Sequence, residues 1–290
     1  MGKARKKVPI TAQRNNTGTH FKRSSAETAR LIRRFHVLNK ELAKCQQSNN
    51  PTDRTREKAI VEEMDRMGGI DWYQKASQLG QSKTRGGDSS KWLVKVLKEH
   101  CKESIDTATK PLHVLDVGAV APDNYKPYSS WIKAKPIDLN PQDLAIEKQD
   151  FLTMPITSDK FDVVCLSLVV NFVGDPKDRG KMLIQTRNFL PPLSDTNRLH
   201  YLFLVLPLPC VNNSRYMSHE HLLTMMKSIG YTNCIKHHFS NKLAYYLFEL
   251  TETPVTKKLD WKKKILPGRE GGERNNFSVV MEPFGKKPAP

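Results

Sequence analysis

The sequence contains no long hydrophobic run. No segment reaches the ~18 consecutive apolar residues that a membrane helix needs, and polar residues or prolines interrupt the two most apolar stretches, 161–173 and 201–211. The basic first ten residues are not followed by an apolar stretch, which argues against a secretory signal. Apolar residues make up 38% of the 290. We therefore expect a soluble intracellular protein, part of which lies outside the core.

Cysteines are few and scattered. There are five, an odd number, and no two form a CxxC pair. A disulfide framework or a zinc site built from paired cysteines needs closer spacing, so we expect free, mostly buried thiols in a reducing compartment and no bound metal. A zinc site assembled from distant cysteines and histidines is the minor alternative.

Acidic residues are also scarce. The chain has 47 Lys and Arg against 30 Asp and Glu, a net charge of +17, and residues 1–40 contain a single acid, Glu27. Such an excess predicts a polyanionic partner, most often nucleic acid. Three arginines of this region are candidate RNA contacts: Arg30, Arg33 and Arg34. The alternatives are a solubility tail or, for the first seven residues, a nuclear address.

Composition and periodicity divide the chain into four parts. Residues 1–23 are predicted to be a disordered basic arm, and residues 24–85 a helical extension. The apolar stripe of its first helix is Leu31, Phe35, Leu38, Leu42 and Cys45, and that of its second is Ile60, Met64 and Met67. Residues 86–250 form the main domain, which opens with a helix capped by Ser89 or Ser90. Residues 251–290 are polar and basic and are predicted to be a tail.

Within the main domain, the rhythm changes after Pro111. Short apolar runs such as 112–118, 161–170 and 201–209 alternate with helical patterns. Strands that alternate with helices predict an α/β fold, in which helices cover both faces of a parallel sheet. Ligands of such folds lie beyond the carboxyl ends of the strands.

The first predicted strand ends in Asp116-Val117-Gly118, and the turn lacks further glycines. A dinucleotide-binding turn has the pattern GxGxxG, whereas this one continues as Ala119-Val120 and a proline. The missing glycines weaken an NAD interpretation. Gly118 still lets the backbone approach a ligand closely, and we expect Asp116 to belong to the same cofactor site.

Polar residues follow the next three predicted strands. Asp138 is placed to accept hydrogen bonds from two ribose hydroxyls. Asp150 is placed to accept from an adenine amino group, with Phe151 or a neighbour packing on the ring, while Ser167 faces the reacting end of the cofactor. Any one acid here has an ordinary alternative as a helix cap or turn former. Their order along the strands favours an adenosine-containing ligand.

Several long motifs resemble a known family. These are LDVGAVAPDNYK, IDLN, QDF, FDVVCLSLVVNFV, DRGKML and FLVLPLPCVNNSRYM. Over roughly residues 25–250 they resemble the fungal 25S ribosomal RNA adenine-N1 methyltransferases. The resemblance implies a class I S-adenosylmethionine (SAM)-dependent methyltransferase fold, mostly parallel and Rossmann-like, with SAM bound at Gly118 and Asp138. It also implies an adenine of large-subunit rRNA as substrate, on free RNA or a pre-ribosomal particle, and a nuclear, nucleolar location.

The target base needs its own contacts, because it must be unpaired or flipped to react. We expect Asn171, after the fourth strand, to hydrogen-bond the base and Phe172 to stack on it. In the loop after the fifth strand, Arg215 is expected to meet a phosphate and Tyr216 a base. The alternative role is that of a turn residue for Asn171, a salt bridge for Arg215 and core packing for Tyr216. Cys210 is not expected to be a nucleophile, because adenine N1 needs no covalent activation.

Two further classes of function stay open. Animal relatives of the family resemble a SAM sensor, so a non-catalytic regulatory module is one alternative. A ribosome-assembly protein with a vestigial pocket is the other. The basic residues of 1–40 favour the enzyme, which we expect to be a monomer without membrane or metal partners. Neither the modified adenine nor the oligomeric state follows from the sequence.

Overall fold

The fold is built on one seven-stranded sheet. A computed structural model describes residues 25–47, 50–69, 89–102, 110–252 and 260–282. The strands are β1 (Leu112–Val117), β2 (Ile132–Asp138), β3 (Glu147–Lys148), β4 (Val163–Ser167), β5 (Tyr201–Pro207), β6 (Asn233–Phe239) and β7 (Leu243–Glu249).

The strand order is β3-β2-β1-β4-β5-β7-β6. Strands β1 to β5 are parallel to one another, and only β7 runs against the others, pairing antiparallel with β5 and β6. This mostly parallel order confirms the predicted α/β, Rossmann-like class. The order reverses between β1 and β4, so a crevice opens beyond their carboxyl ends.

Helices cover both faces of the sheet. They are α1 (Ser25–Gln47), α2 (Pro51–Arg66), α3 (Ser90–His100), α4 (Pro176–Phe189), α5 (Pro209–Asn212) and α6 (His219–Ser228). Because side chains alternate along a strand, Leu115 of β1 joins the core under α4 and α6, whereas Val114 joins a second core under α3. Both cores are continuous across the central strands.

The predicted helical extension forms a hairpin of α1 and α2 with its own apolar core. Its buried members are Phe35, Leu38, Leu42, Ile60 and Met64. These side chains come from the two stripes that the periodicity predicted. The predicted cap at Ser24 and the basic arm 1–23 lie outside the described residues.

The prediction of a C-terminal tail is wrong for residues 260–282. Phe277, Val279 and Met281 are buried in the main core. The backbone N–H of Val280 donates to the carbonyl of Pro176 at 2.9 Å. A β-carbon on Gly180 of α4 would lie 1.9 Å from the Val280 carbonyl oxygen, so α4 and this segment touch backbone to backbone. We call residues 260–282 the C-terminal strap.

Three expectations from composition can be compared with the described residues. No described helix has the length and hydropathy to cross a membrane. The five cysteines, all of them described, form no disulfide with one another, and three of them are buried. No three Cys, His, Asp or Glu side chains of the described part of the chain come together as a metal-binding group.

Candidate cofactor and target-base site

The turn after β1 requires glycine for two independent reasons. Gly118 has φ +72°, and a β-carbon there would lie 2.3 Å from Cγ2 of Val169. The amides of Gly118 and Ala119 both donate to the Ile137 carbonyl, at 2.8 and 3.0 Å. This fixes the turn against the end of β2 and leaves no room for a side chain. The close approach lies where a cofactor would be held.

A pocket opens beside this turn, under the start of α3. Asp116, Gly118 and Ser167, three of the predicted cofactor residues, line it together with Ser89. Asp116 is buried. The hydroxyls of Ser89 and Ser167 are hydrogen-bonded at 2.8 Å. Ser89 occupies the N-cap position of α3 but makes no capping bond, so its side chain serves the pocket and not the helix.

Asp138 ends β2 with its carboxyl at the same edge of the sheet. One oxygen accepts from the Asn140 amide at 2.7 Å. Burial raises the pKa of the Asp138 carboxyl above its ordinary value, and the Asn140 hydrogen bond lowers it by less. A desolvated carboxylate gains from hydroxyl donors, which suits a ribose.

Asp150 and Phe151 have structural roles. The Asp150 carboxylate caps the short 3-10 turn at Phe151–Thr153 and accepts from the Leu152 amide at 2.9 Å. The Phe151 ring is buried in the main core, 5.3 Å from that of Phe189. The expectation that Phe151 packs on an adenine is therefore wrong, because the core already encloses its ring. The half-buried neighbour Leu152 is the better candidate, and the adenine contact of Asp150 stays a prediction.

The chain leaves β4 through an unusual conformation. Leu168 has φ +60°, the one non-glycine residue with positive φ in the described part of the chain. Such a conformation costs a residue with a β-carbon about 1–3 kcal/mol and clusters at functional sites. Asn171 follows, 9% exposed. Among the described residues nothing donates to its buried Oδ1.

Helix α1 packs directly on the loop that carries Asn171. The rings of Phe172 and Phe35 stack with centroids 6.1 Å apart and planes inclined by 6°. Asn39 Nδ2 donates to the Phe172 carbonyl at 2.7 Å. One face of the Phe172 ring is thus occupied by the extension, and stacking of the target base on this residue stays a prediction.

A buried arginine holds the same loop from the other side. Arg179 of α4 is 1% exposed and donates to the carbonyls of Val173, Gly174 and Ser278 at 2.7, 3.1 and 2.7 Å. Its guanidinium lies 4.9 Å from the ring centroid of Phe277. Burial lowers the pKa of Arg179 to about 10. Arg179 thus joins the 171–174 loop to the C-terminal strap.

The predicted RNA contacts are spread over two regions. Arg215 donates to the carbonyls of Gly271 and Gly272 and to Asn276 Oδ1. Its donors therefore organise the strap. Tyr216 lies nearby, with the ammonium of Lys263 4.5 Å from its ring centroid.

The predicted arginines of α1 lie on the extension. Arg30 and Arg34 are exposed, and Arg34 forms a two-bond ion pair with Glu63, at 2.6 and 2.8 Å. The side chain of Arg33 lies outside the described residues. RNA contact stays a prediction for Arg30, Arg33, Arg34, Arg215 and Tyr216.

The crevice beyond the carboxyl ends of β1 and β4 thus contains a close backbone turn at Gly118, a carboxylate suited to a ribose at Asp138 and a buried amide at Asn171. The family model described as 25S rRNA (adenine(2142)-N(1))-methyltransferase, Bmt2, matches residues 58–279. The chain belongs to this family. The matched range takes in most of the C-terminal strap, consistent with its burial.

Two fungal proteins are similar in sequence to this chain over most of its length. The 25S rRNA adenine-N(1) methyltransferase of Schizosaccharomyces pombe is 37% identical over 251 residues, which covers 86% of this chain and 90% of the relative. The 25S rRNA (adenine(2142)-N(1))-methyltransferase of Saccharomyces cerevisiae is 34% identical over 229 residues, covering 77% and 63% of the two chains.

Solved structures resemble the family member less. The N-methyltransferase NodS from Bradyrhizobium japonicum, in complex with S-adenosyl-L-homocysteine, aligns with 60% of this chain and 91% of its own. The sequence identity is 12% and the TM-score 0.37, too low a similarity to bear on the site.

Sequence reasoning missed two residues that shape the site, Ser89 and Arg179. The sequence indicates Ser89 only as a helix cap. Arg179 lies within the DRGKML motif, but nothing in that motif indicates that its side chain is buried against the 171–174 loop. One signal for the strap was present: the alternation of Phe277, Val279 and Met281 is typical of a half-buried extended segment.

Proposed function

We propose that this chain transfers a methyl group from SAM to N1 of an adenine in 25S rRNA. Family membership supports the reaction and the substrate class. The observation that carries the assignment within the structure is the buried Oδ1 of Asn171, without a donor among the described residues. A buried acceptor left unpaired costs about 1–3 kcal/mol, and a bound adenine amino group would satisfy it.

The residues present fit SAM. The Gly118 cradle excludes any β-carbon, and Asp138 is half-buried with acceptor oxygens for the ribose hydroxyls. Asp116, Ser89 and Ser167 line the neighbouring pocket, where they are placed for the polar end of the amino acid. When bound, SAM supplies a methyl group on a sulfonium, which needs no activation by the protein.

Asn171 is placed to favour the transition state over the ground state. The N1 lone pair of adenine forms the new N–C bond, and the pair of the breaking C–S bond stays on sulfur. Positive charge therefore moves onto the adenine ring, and no proton has to be removed. The 6-amino group beside N1 becomes a stronger donor as this charge develops, so its hydrogen bond to Asn171 Oδ1 strengthens during the reaction.

The loop that carries Asn171 is held rigidly. Phe35 and Asn39 contact it from α1, and Arg179 binds the carbonyls of Val173 and Gly174 from α4. Rigid support matters because a misplacement of ~1 Å can lower a rate by roughly a hundredfold.

The experiment mixes purified protein with labelled SAM and deproteinised large-subunit rRNA. We expect label in RNA at one adenine. Reverse transcription should stop there, because a methyl on N1 blocks Watson–Crick pairing. The D138A variant should lose the stop. Binding of SAM without label in RNA, either free or in pre-ribosomal particles, would indicate a sensor or an assembly factor instead.

We also propose that the protein acts as a monomer in the nucleolus, where pre-ribosomal RNA is made. The net charge of +17 opposes self-association and favours a polyanionic partner. Light scattering at several concentrations tests the first statement, and a fluorescent fusion tests the second.

A further inference from the structure

Helix α1 contacts the 171–174 loop, which carries Asn171 and which we call the target-base loop, backbone to backbone. A β-carbon on Gly174 would lie 3.0 Å from the Asn39 carbonyl oxygen and 2.9 Å from Ala43 Cβ. Lys40 and Lys44 follow these two residues directly and, being four apart, project from one side of the helix. The contact therefore carries two ammonium groups to the edge of the site.

The C-terminal strap brings a third ammonium group to the same place. The Nζ of Lys263 lies 4.5 Å from the centroid of the Tyr216 ring. The charges of Lys44 and Arg179 lower the pKa of Lys263. The charges of Arg179 and Lys263 in turn lower the pKa of Lys40. We call Lys40, Lys44 and Lys263 the lysine cluster.

The lysine cluster has no anionic partner within the described residues. None of its ammonium groups has a carboxylate within 4.0 Å there. Arg179 adds positive charge, but its donors are already used on three carbonyls. Burial, and then the neighbouring cations, lower the pKa of both Lys40 and Lys263. Like charges held together in this way are stabilised when an anion binds between them.

The position of the lysine cluster selects the anion. Lys40 and Lys44 adjoin the residues of α1 that touch Gly174, whereas the Asp116 pocket lies across the sheet edge under α3. A cation facing the reacting ring would oppose the positive charge that methylation puts there. A phosphate on the lysine cluster neutralises that charge and holds the strand beside the extruded base.

We propose that Lys40, Lys44 and Lys263 bind a backbone phosphate of the RNA next to the target adenosine. The inference rests on the proposed function, because it places the phosphate relative to the base that reacts. Tyr216, under Lys263, is then positioned beside the same strand for stacking.

The test compares K40Q/K263Q with K133Q, which removes an exposed lysine at the amino end of β2, on the opposite edge of the sheet. Binding of deproteinised 25S rRNA is titrated with salt, and SAM binding is measured by calorimetry. The double variant should bind rRNA at least tenfold more weakly, with a salt slope shallower by about one. The KM for RNA should rise, and the Kd for SAM should stay at the wild-type value. The variant K40Q/K263R, which keeps the positive charge at position 263, should restore the salt slope.

Melting temperatures separate this role from a structural one. Removal of the half-buried Lys40 charge, which neighbouring cations repel, should leave the melting temperature of K40Q unchanged or higher, whereas a structural lysine would lower it. A slope and KM equal to those of K133Q would overturn the inference. A loss of SAM affinity would overturn it too, by assigning the cluster to the cofactor. If the wild type methylates no adenine while the slopes still differ, the proposed function fails and the phosphate site stands.

Discussion

At the scale of single residues, the site depends on two positions, Gly118 and Asn171, whose surroundings tightly restrict the side chain. Gly118 combines a left-handed backbone with a contact that would put a β-carbon 2.3 Å from Val169. Asn171 combines burial with an acceptor that no described residue satisfies. The two residues fail in different ways when changed, and that difference makes their roles measurable.

Gly118→Ala should destabilise the fold and abolish SAM binding. The positive φ costs about 1–3 kcal/mol, and the clash with Val169 adds to it. The double variant G118A/V169A removes the methyl group in the way and should regain part of the unfolding free energy in urea titrations, with V169A alone as the reference. If G118A costs as much unfolding free energy in the V169A background as in the wild type, the backbone conformation is the whole cost.

Asn171→Leu should cut methyl transfer by roughly a hundredfold, on the scale of a lost transition-state hydrogen bond. Leucine has the same branched shape and number of side-chain heavy atoms as asparagine, so the packing is largely kept. Because the change removes an acceptor that lacks a donor, the melting temperature should not fall. Single-turnover rates and melting curves on one preparation check both points. A turn-forming role would give the reverse, with lower stability and an unchanged rate per folded molecule.

SAM affinity should decrease as the pH falls below neutrality. Ribose hydroxyls donate to the ionised form of Asp138, whereas burial raises the pKa of that carboxyl in the free protein. Below that pKa a proton must leave before binding, which weakens affinity up to about tenfold per pH unit. Calorimetry from pH 7 downward measures the decrease. D138N should bind weakly and without this pH dependence, and a flat wild-type profile over the range in which the protein stays folded would remove Asp138 from the ribose site.

At the scale of elements, the helical extension supports the loop that carries Asn171. Phe35→Ala should cost about 3–5 kcal/mol of unfolding free energy and loosen the stack on Phe172. We expect methyl transfer to fall while SAM binding stays close to wild type, because the contacts of α1 are with the target-base loop. Val37→Ala, on the same helix but 44% exposed, is the matched control. Equal rates for the two variants, with hydrogen exchange showing α1 undocked in F35A, would contradict this.

The elements differ in how much of them could be predicted. Phe35, Leu38 and Leu42 are apolar at helical spacing, and β1 is an apolar run closed by Asp and Gly, so local pattern was sufficient. The strap has no such pattern over most of its length. Trp261 donates to Ser228 and Arg269 to the carbonyl of Met217, and contacts of this kind depend on a surface that only the folded domain provides. The role of Phe151 was mispredicted for a similar reason. The sequence indicates the end of the third strand correctly, but the direction of the Phe151 ring depends on the 3-10 turn that follows it.

At the scale of the whole molecule, the strap closes the main core. Deletion of residues 260–290 removes three buried apolar side chains, worth on the order of 5–9 kcal/mol, and takes the Ser278 carbonyl from Arg179. We expect a melting temperature lower by ~10 °C or more, or aggregation. A chain that ends at Glu282 keeps every contact described for the strap and is the control. If the shorter chain melts like the control, the strap is dispensable.

The bond from Arg179 to Ser278 also has a consequence for the order of synthesis. Domains generally begin to fold from the amino end while the chain is being made, but this bond needs a carbonyl from residue 278 of 290. The loop that carries Asn171 therefore gains this support only after residue 278 has been synthesised.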